Sequence, residues 1–264
     1  MIDTHTHLYM DEFLEDGPEG AALAVDRAVE AGVSMMVLPA VDRESVAPII
    51  DLHTRRSGKV AVAFGLHPTE VGEDWEEELR AIADALLPLS PVAVGEVGMD
   101  LYWSRDNLDL QKKAFVAQLL MARDLDLPVI IHCRQALDEC LECIETAREA
   151  SPDGKLSTLV FHSFTGSPED VRRIRSICDP YFGINGVVTF KNAGSLPDAV
   201  REIGMQRLLL ETDSPFLAPV PMRGRRNESS YVTFINDKIA GILGVSSSEV
   251  DIATSSNANT VFGF

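Results

Sequence analysis

The chain has 264 residues, 41 of them acidic and 23 basic, for a formal charge of −18 at neutral pH. That sign argues against recognition of nucleic acid through a broad basic face, and against a basic segment lying on a membrane surface. At 45% hydrophobic and 24% charged residues, the composition is that of globular material rather than a disordered acidic tail.

No apolar run approaches the roughly 18 residues of a membrane span. The start, Met1-Ile2-Asp3-Thr4-His5, has neither the basic nor the apolar region of a signal peptide. Four cysteines are too few for a disulfide scaffold. The expectation is a cytoplasmic protein with no membrane association and no obligate protein partner.

In chain order, strands are predicted over 2–5, 33–39, 60–66, 91–97, 128–132, 157–162, 181–186 and 207–212. Most lack polar alternation, as strands buried on both faces of a parallel sheet do. Helical spacing separates them. Ala22, Val25, Ala28 and Val29 share a face in 19–31, and Phe115, Leu119 and Ala122 share one in 106–126. Asp106, Asn107 and Asp109 offer N-cap groups to the latter. Residues 228–244, and those from 247 onward, are also predicted helical. Eight strands alternating with helices define α/β architecture. They point to a single-domain (β/α)8 TIM barrel over residues 1–264. A doubly wound open sheet is the rival, weakened because no Gly-x-Gly-x-x-Gly follows the first strand.

Polar residues gather at the predicted strand ends. His5 and His7 end the first strand, Glu96 the fourth, His132 the fifth, His162 the sixth and Asp213 the eighth. In a barrel these ends share the face where active sites are built. Residues i and i+2 of a strand point the same way, so His5 and His7 suit one ion together. An unpaired carboxylate after an apolar strand is costly, and cations offset that cost. Four imidazoles and two carboxylates exceed the three protein ligands of one catalytic zinc, so a dinuclear metal site is expected. Imidazole ligation favours Zn or Mn over Mg.

Seven segments then resemble the TatD family of metal-dependent deoxyribonucleases, within the amidohydrolase superfamily. They are Ile2-Asp3-Thr4-His5-Thr6-His7, Gly65-Leu66-His67-Pro68, Gly95-Glu96-Val97-Gly98-Met99-Asp100, Pro128-Val129-Ile130-Ile131-His132-Cys133-Arg134, Phe161-His162-Ser163-Phe164-Thr165-Gly166, Glu211-Thr212-Asp213-Ser214-Pro215-Phe216 and Arg223-Gly224-Arg225-Arg226-Asn227-Glu228. They run in family order over nearly the whole chain. The resemblance implies a TIM barrel with two divalent ions (Zn, Mn or Mg). It implies that His5, His7, Glu96 and Asp213 hold one ion, and Glu96, His132 and His162 the other. Glu96 stands where phosphotriesterase-like relatives carry a modified lysine. Ser163 and Thr165 stand where the family often has Cys and Ser.

The chemistry expected is phosphodiester hydrolysis by a metal-activated water, with Asp213 as the proton-transfer group. The resemblance favours 3′-to-5′ trimming of DNA. His67, Arg134, Arg225 and Tyr102 are the candidate substrate contacts. Each has a structural alternative: loop packing for His67, a helix-start ion pair for Arg134, a clamp on Glu228 for Arg225 and a hydrophobic lid for Tyr102 with Trp103. Cys140 and Cys143 are assigned to helix packing. Ester, lactone or amide cleavage on the same ions is the alternative activity, and a metal-binding scaffold without turnover is the alternative class. The net charge of −18 argues against many phosphate contacts, so the substrate expected is a DNA end or a short single strand, not a long duplex.

Overall fold

The computed structural model describes residues 1–264. Eight strands form one parallel sheet in sequential order: β1 (Ile2–Asp3), β2 (Met35–Pro39), β3 (Val60–Phe64), β4 (Ala93–Asp100), β5 (Val129–Arg134), β6 (Leu159–Phe161), β7 (Tyr181–Ile184) and β8 (Leu208–Leu210). Helices α1 (Gly20–Glu30), α2 (Val46–Arg55), α3 (Trp75–Leu86), α4 (Leu108–Asp124), α5 (Leu137–Ala150), α6 (Pro168–Ile177), α7 (Leu196–Ile203) and α8 (Val232–Leu243) lie between or after the strands, and α9 (Ser247–Phe262) closes the chain. The seam between β8 and β1 is bridged by Thr4, whose N–H and hydroxyl both donate to Leu210 O. The fold is a TIM barrel. No helix is long and apolar enough to cross a membrane.

Helix faces follow the 3.6-residue period. α3 buries Leu79, Ile82, Ala83 and Leu86, and α7 buries Leu196, Ala199, Val200 and Ile203. α6 and α9 each start on a reciprocal serine–acid cap, Ser167 with Asp170 and Ser246 with Glu249. Asn107 is the residue before α4 but caps nothing. Its amide donates to Val71 O instead, tying α4 to the loop after β3.

Alternation along the strands divides the core in two. Val129 and Ile131 of β5 face the helices, whereas Ile130 joins an inner cluster with Ile2, Val37, Ala63, Ala93, Val160 and Leu209. Ala258, Val261 and Phe262 of α9 pack into the same cluster, so the terminal helix stoppers that end of the barrel. In the outer layer Phe115 of α4 is fully buried. Phe115→Ala is expected to lower unfolding stability by about 3–5 kcal/mol, read from denaturant titration.

Several predicted boundaries need correction: β3, β6 and β7 stop one or two residues early, and β5 runs on to Arg134, so His132 lies inside its strand. β1 stops at Asp3 and β8 at Leu210, short of residues 5 and 212. Past these points backbone groups leave the ladder: Thr6 N–H donates to Val37 O, His7 N–H to Ser214 O and Asp213 N–H to His5 O. β4 instead runs on to Asp100, so Glu96 lies inside the strand and not at its end. Pairing with β5 shifts between Val94 and Val97. Val94 and Val97 both face the helices, so the irregularity there turns Glu96 inward.

Candidate metal centre

The six predicted side chains converge. Glu96 is their hub. Its Oε2 lies 3.1 Å from His5 Nε2 and 3.6 Å from His7 Nε2. Its Oε1 lies 2.7 Å from His132 Nδ1 and 3.0 Å from His162 Nε2. Asp213 Oδ1 approaches His7 Nε2 at 3.6 Å and His5 Nε2 at 3.9 Å. All but His132 and Asp213 are buried; those two are partly open.

Each position in the cluster has a local cause. His132 and His162 extend the inward faces set by Ile130 and Val160, two residues earlier. Asp213 has φ 58° and Ser163 φ 48°, left-handed turns immediately after β8 and β6. Such backbone is uncommon outside glycine and is tolerated where surrounding contacts over-determine it. Asn227 supplies such contacts. Its buried amide donates to Thr212 O and Phe216 O, holding the loop that carries Asp213.

The charges are mutually dependent. Burial works against an ionised Glu96, yet His162, His5 and His67 hold its carboxyl well below the usual range. Burial likewise opposes a charged His162, but Glu96 and Glu211 hold it well above the imidazole range. For His132 the bonds to Asp100 and Glu96 overcome burial and lift it to about 9. Burial pushes His5 and His67 down. Asp213 resists the upward pull of burial through His7, His162 and His5 and stays below the ordinary carboxyl range.

Outer partners fix the rings. Tyr9 Oη donates to Pro39 O at 2.7 Å, so it accepts from His7 Nδ1 at 2.9 Å. His7 Nε2 is left as a lone pair facing Glu96 and Asp213. His132 Nε2 lies 3.0 Å from Asp100 Oδ2. Residues that orient a ligand in this way raise its basicity and lock its geometry. Sequence reasoning missed Tyr9 and Asp100. The available signal was an acid in the continuation of an apolar run, which Asp100 shows. Tyr9→Phe is expected to weaken divalent-ion affinity about 10- to 100-fold, measured by chelator competition.

The donor set fits cations. His5 Nε2 and His7 Nε2 are 3.1 Å apart, with Glu96 Oε2 beside both. A proton satisfies one pair among these atoms, whereas a cation satisfies all three. His5 with His7 and Glu96 is one group able to hold a metal, and His67 with Glu96 and His132 is another.

His67 is therefore part of the cluster, with Nε2 3.4 Å from Glu96 Oε1 and 3.3 Å from His132 Nδ1. Arg134 has no helix-start ion pair; its guanidinium sits 3.7 Å over the Tyr102 ring. Tyr102 and Trp103 are exposed beside it. Arg225 does not clamp Glu228, because Arg27 takes that carboxylate with its Nε and Nη2 groups. Arg226 is occupied by Asp16 and Glu12 O, and Arg223 lies over Phe190. Arg225 remains exposed. Cys140 and Cys143 are buried in α5, as packing requires.

A TIM barrel whose strand ends bring imidazoles and carboxylates onto one hub defines a metal-dependent hydrolase. The chain matches the TatD related DNase family over residues 2–263, and it belongs to that family. An uncharacterized metal-dependent hydrolase, YabD, from Bacillus subtilis is 33% identical across 99% of this chain and 98% of that protein. A 3′-5′ ssDNA/RNA exonuclease, TatD, from Klebsiella pneumoniae is 32% identical across 100% of this chain and 98% of its own length. Among solved structures, the TatD homologue YJJV of Escherichia coli superposes with TM-score 0.87 at 27% identity, covering 100% of this chain and 98% of that one.

Proposed function

We propose that this chain hydrolyses phosphodiester bonds at the ends of single-stranded DNA, removing nucleotides from the 3′ end. The observation that carries the reading is the Glu96 carboxylate, which gives one oxygen to the His5–His7 pair and the other to the His132–His162 pair. That division suits two divalent ions, one held by His5, His7, Glu96 and Asp213, the other by Glu96, His132 and His162. Ions there would supply Lewis acidity toward the phosphate oxygens and a water acidic enough to act near neutral pH.

The protein side chains do the rest. Asp213, at the open side of the cluster, orients the attacking water and takes its proton. It then returns that proton to the departing sugar oxygen as the phosphorus–oxygen bond breaks. His67 stands beside the second ion's set and donates toward the phosphate or the leaving oxygen. Arg134 and Arg225, both exposed, contact flanking phosphates, and Tyr102 offers a face to an unpaired base. A cleft of about 430 Å³ opens beside His162 and is lined by Phe161, Phe164, Thr165 and Gln135, a size suited to a small ligand unit. Its two arginines, Arg105 and Arg173, are paired with Glu139 and Asp138, so it adds little net positive charge.

The relative named as a 3′-5′ ssDNA/RNA exonuclease supports the substrate class. The test is digestion of 5′-labelled and 3′-labelled single- and double-stranded oligonucleotides with Mg, Mn and Zn in turn. The expected outcome is a ladder of 5′-labelled single strands shortened from the 3′ end, with weaker action on duplex. Turnover of lactones, esters or amides without nucleotide release sinks the proposal. With so few phosphate contacts, the salt dependence of substrate binding should be shallow.

A further inference from the structure

Glu211 is fully buried, and nothing in the chemistry above uses it. Its Oε1 accepts from Ser163 N–H and lies 3.3 Å from His162 Nδ1, off the direction of a good hydrogen bond. Its Oε2 is buried without a partner, and so are His5 Nδ1 and His162 Nδ1. Three orphaned polar atoms in one place would be costly if they did not serve one another. His5, His162 and Glu211 each offer an atom within 4.8 Å of the other two. The two rings are stacked, with centroids 3.6 Å apart and planes 17° apart, and both spend Nε2 on Glu96, which leaves each Nδ1 for another partner.

A third cation among these atoms is a poor account. Both rings already aim Nε2 at Glu96, at 3.1 Å and 3.0 Å. With each Nε2 committed to the metal side, each Nδ1 keeps its proton and is a donor. Two N–H donors beside a carboxylate with a free oxygen form a donor–acceptor set, and the terminal torsion of glutamate is soft enough to serve both.

We propose that Glu211 is a positioning residue shared by the two ions: one carboxylate holds the Nδ1–H of His5 and the Nδ1–H of His162. Resting on the two-ion reading above, it sets one imidazole of each ion's ligand set and couples them across the β8 strand end. The barrel makes room for it. A Cβ at Gly183, on neighbouring β7, would overlap the Glu211 carboxylate, so glycine there admits the acid.

The test uses metal binding and not turnover. Wild type, Glu211→Ala, Glu211→Gln and Gly183→Ala are loaded with zinc or cobalt against a chromophoric chelator. Downfield imidazole N–H resonances are recorded on the zinc forms. Glu211→Ala is expected to weaken both ions about 10- to 100-fold and to remove the two hydrogen-bonded Nδ1–H resonances of His5 and His162. Glu211→Gln keeps the volume and a single oxygen, so it should fold and retain one such resonance. Gly183→Ala should reproduce the weakening with Glu211 still present. A merely structural glutamate lowers Tm but leaves the resonances and the affinity of properly folded protein in place, which overturns the proposal. Weakening confined to one ion also overturns it. A protein that binds two ions but cleaves no nucleic acid leaves the inference standing. Wild type that takes up fewer than two ions overturns it together with the two-ion reading.

Discussion

Asp213→Asn is expected to reduce turnover about 10²- to 10⁴-fold while leaving most of the bound metal in place. The reason lies in what the substitution keeps. Asp213 holds φ 58°, and asparagine is among the residues that tolerate this region, so the turn survives. Its N–H bond to His5 O and its carbonyl bond from Phe216 N–H involve only backbone and survive as well. Volume is unchanged. What is lost is an anionic proton acceptor, the group that His7, His162 and His5 keep ionised despite burial. The first ion retains His5, His7 and Glu96, which is a full set of three protein ligands. Steady-state kinetics with metal analysis on the same preparation provide the check. Activity within about tenfold of wild type would remove Asp213 from the proton-transfer role.

Glu96→Gln should be more damaging to metal content. Glu96 touches five imidazoles through its two oxygens, counting His67 at 3.4 Å. It is the carboxylate whose two oxygens lie beside both histidine pairs. The amide removes the negative charge and places a donor where one ion's set needs an acceptor, so each site loses its only shared anion. Metal content should fall from two ions to at most one per chain, with hydrolysis at background. A thermodynamic readout is independent of substrate. Metal at about 100 times its dissociation constant stabilises a folded protein by roughly 2.7 kcal/mol. That gain, seen as a metal-dependent rise in Tm, should be present in wild type and nearly absent in Glu96→Gln. A variant that still holds two ions would show that Glu96 is not their bridge.

The net charge of −18 takes a narrower meaning beside this geometry. Many arginines are consumed by ion pairs away from the cluster, such as Arg56 with Asp26 and Arg207 with Asp179. Positive charge for a phosphodiester is concentrated at the strand ends, where two divalent ions would bring four charges to one point. An acidic protein can therefore process a strand end without gripping a long duplex.

Alternating apolar runs and helical periods were enough for the barrel, because buried parallel strands and amphipathic helices leave patterns within ten or twenty residues. The clustered histidines were legible for a related reason. His132 and His162 are polar residues that follow apolar runs, and such residues stand out without knowledge of their neighbours. Tyr9 and Asp100 were not legible as groups that meet the histidine rings, and neither was the approach of Glu211 to His162. Each depends on side-chain direction, and Glu211 lies 49 positions from His162 in sequence. His67 was read as a substrate contact because nothing local shows that its ring meets His132 and Glu96.

The sequence alone therefore determined the fold class, the order of strands and helices, and which six side chains gather at one end of the barrel. Tertiary structure alone decided how they meet. Strict two-residue alternation from Val94 would send Glu96 toward the helices, where both Val94 and Val97 point. The register shift between those valines turns it into the barrel. A strand's period is local and can be read from its residues. Where that period slips depends on the neighbouring strand, so the hub of the centre is set by pairing across the sheet.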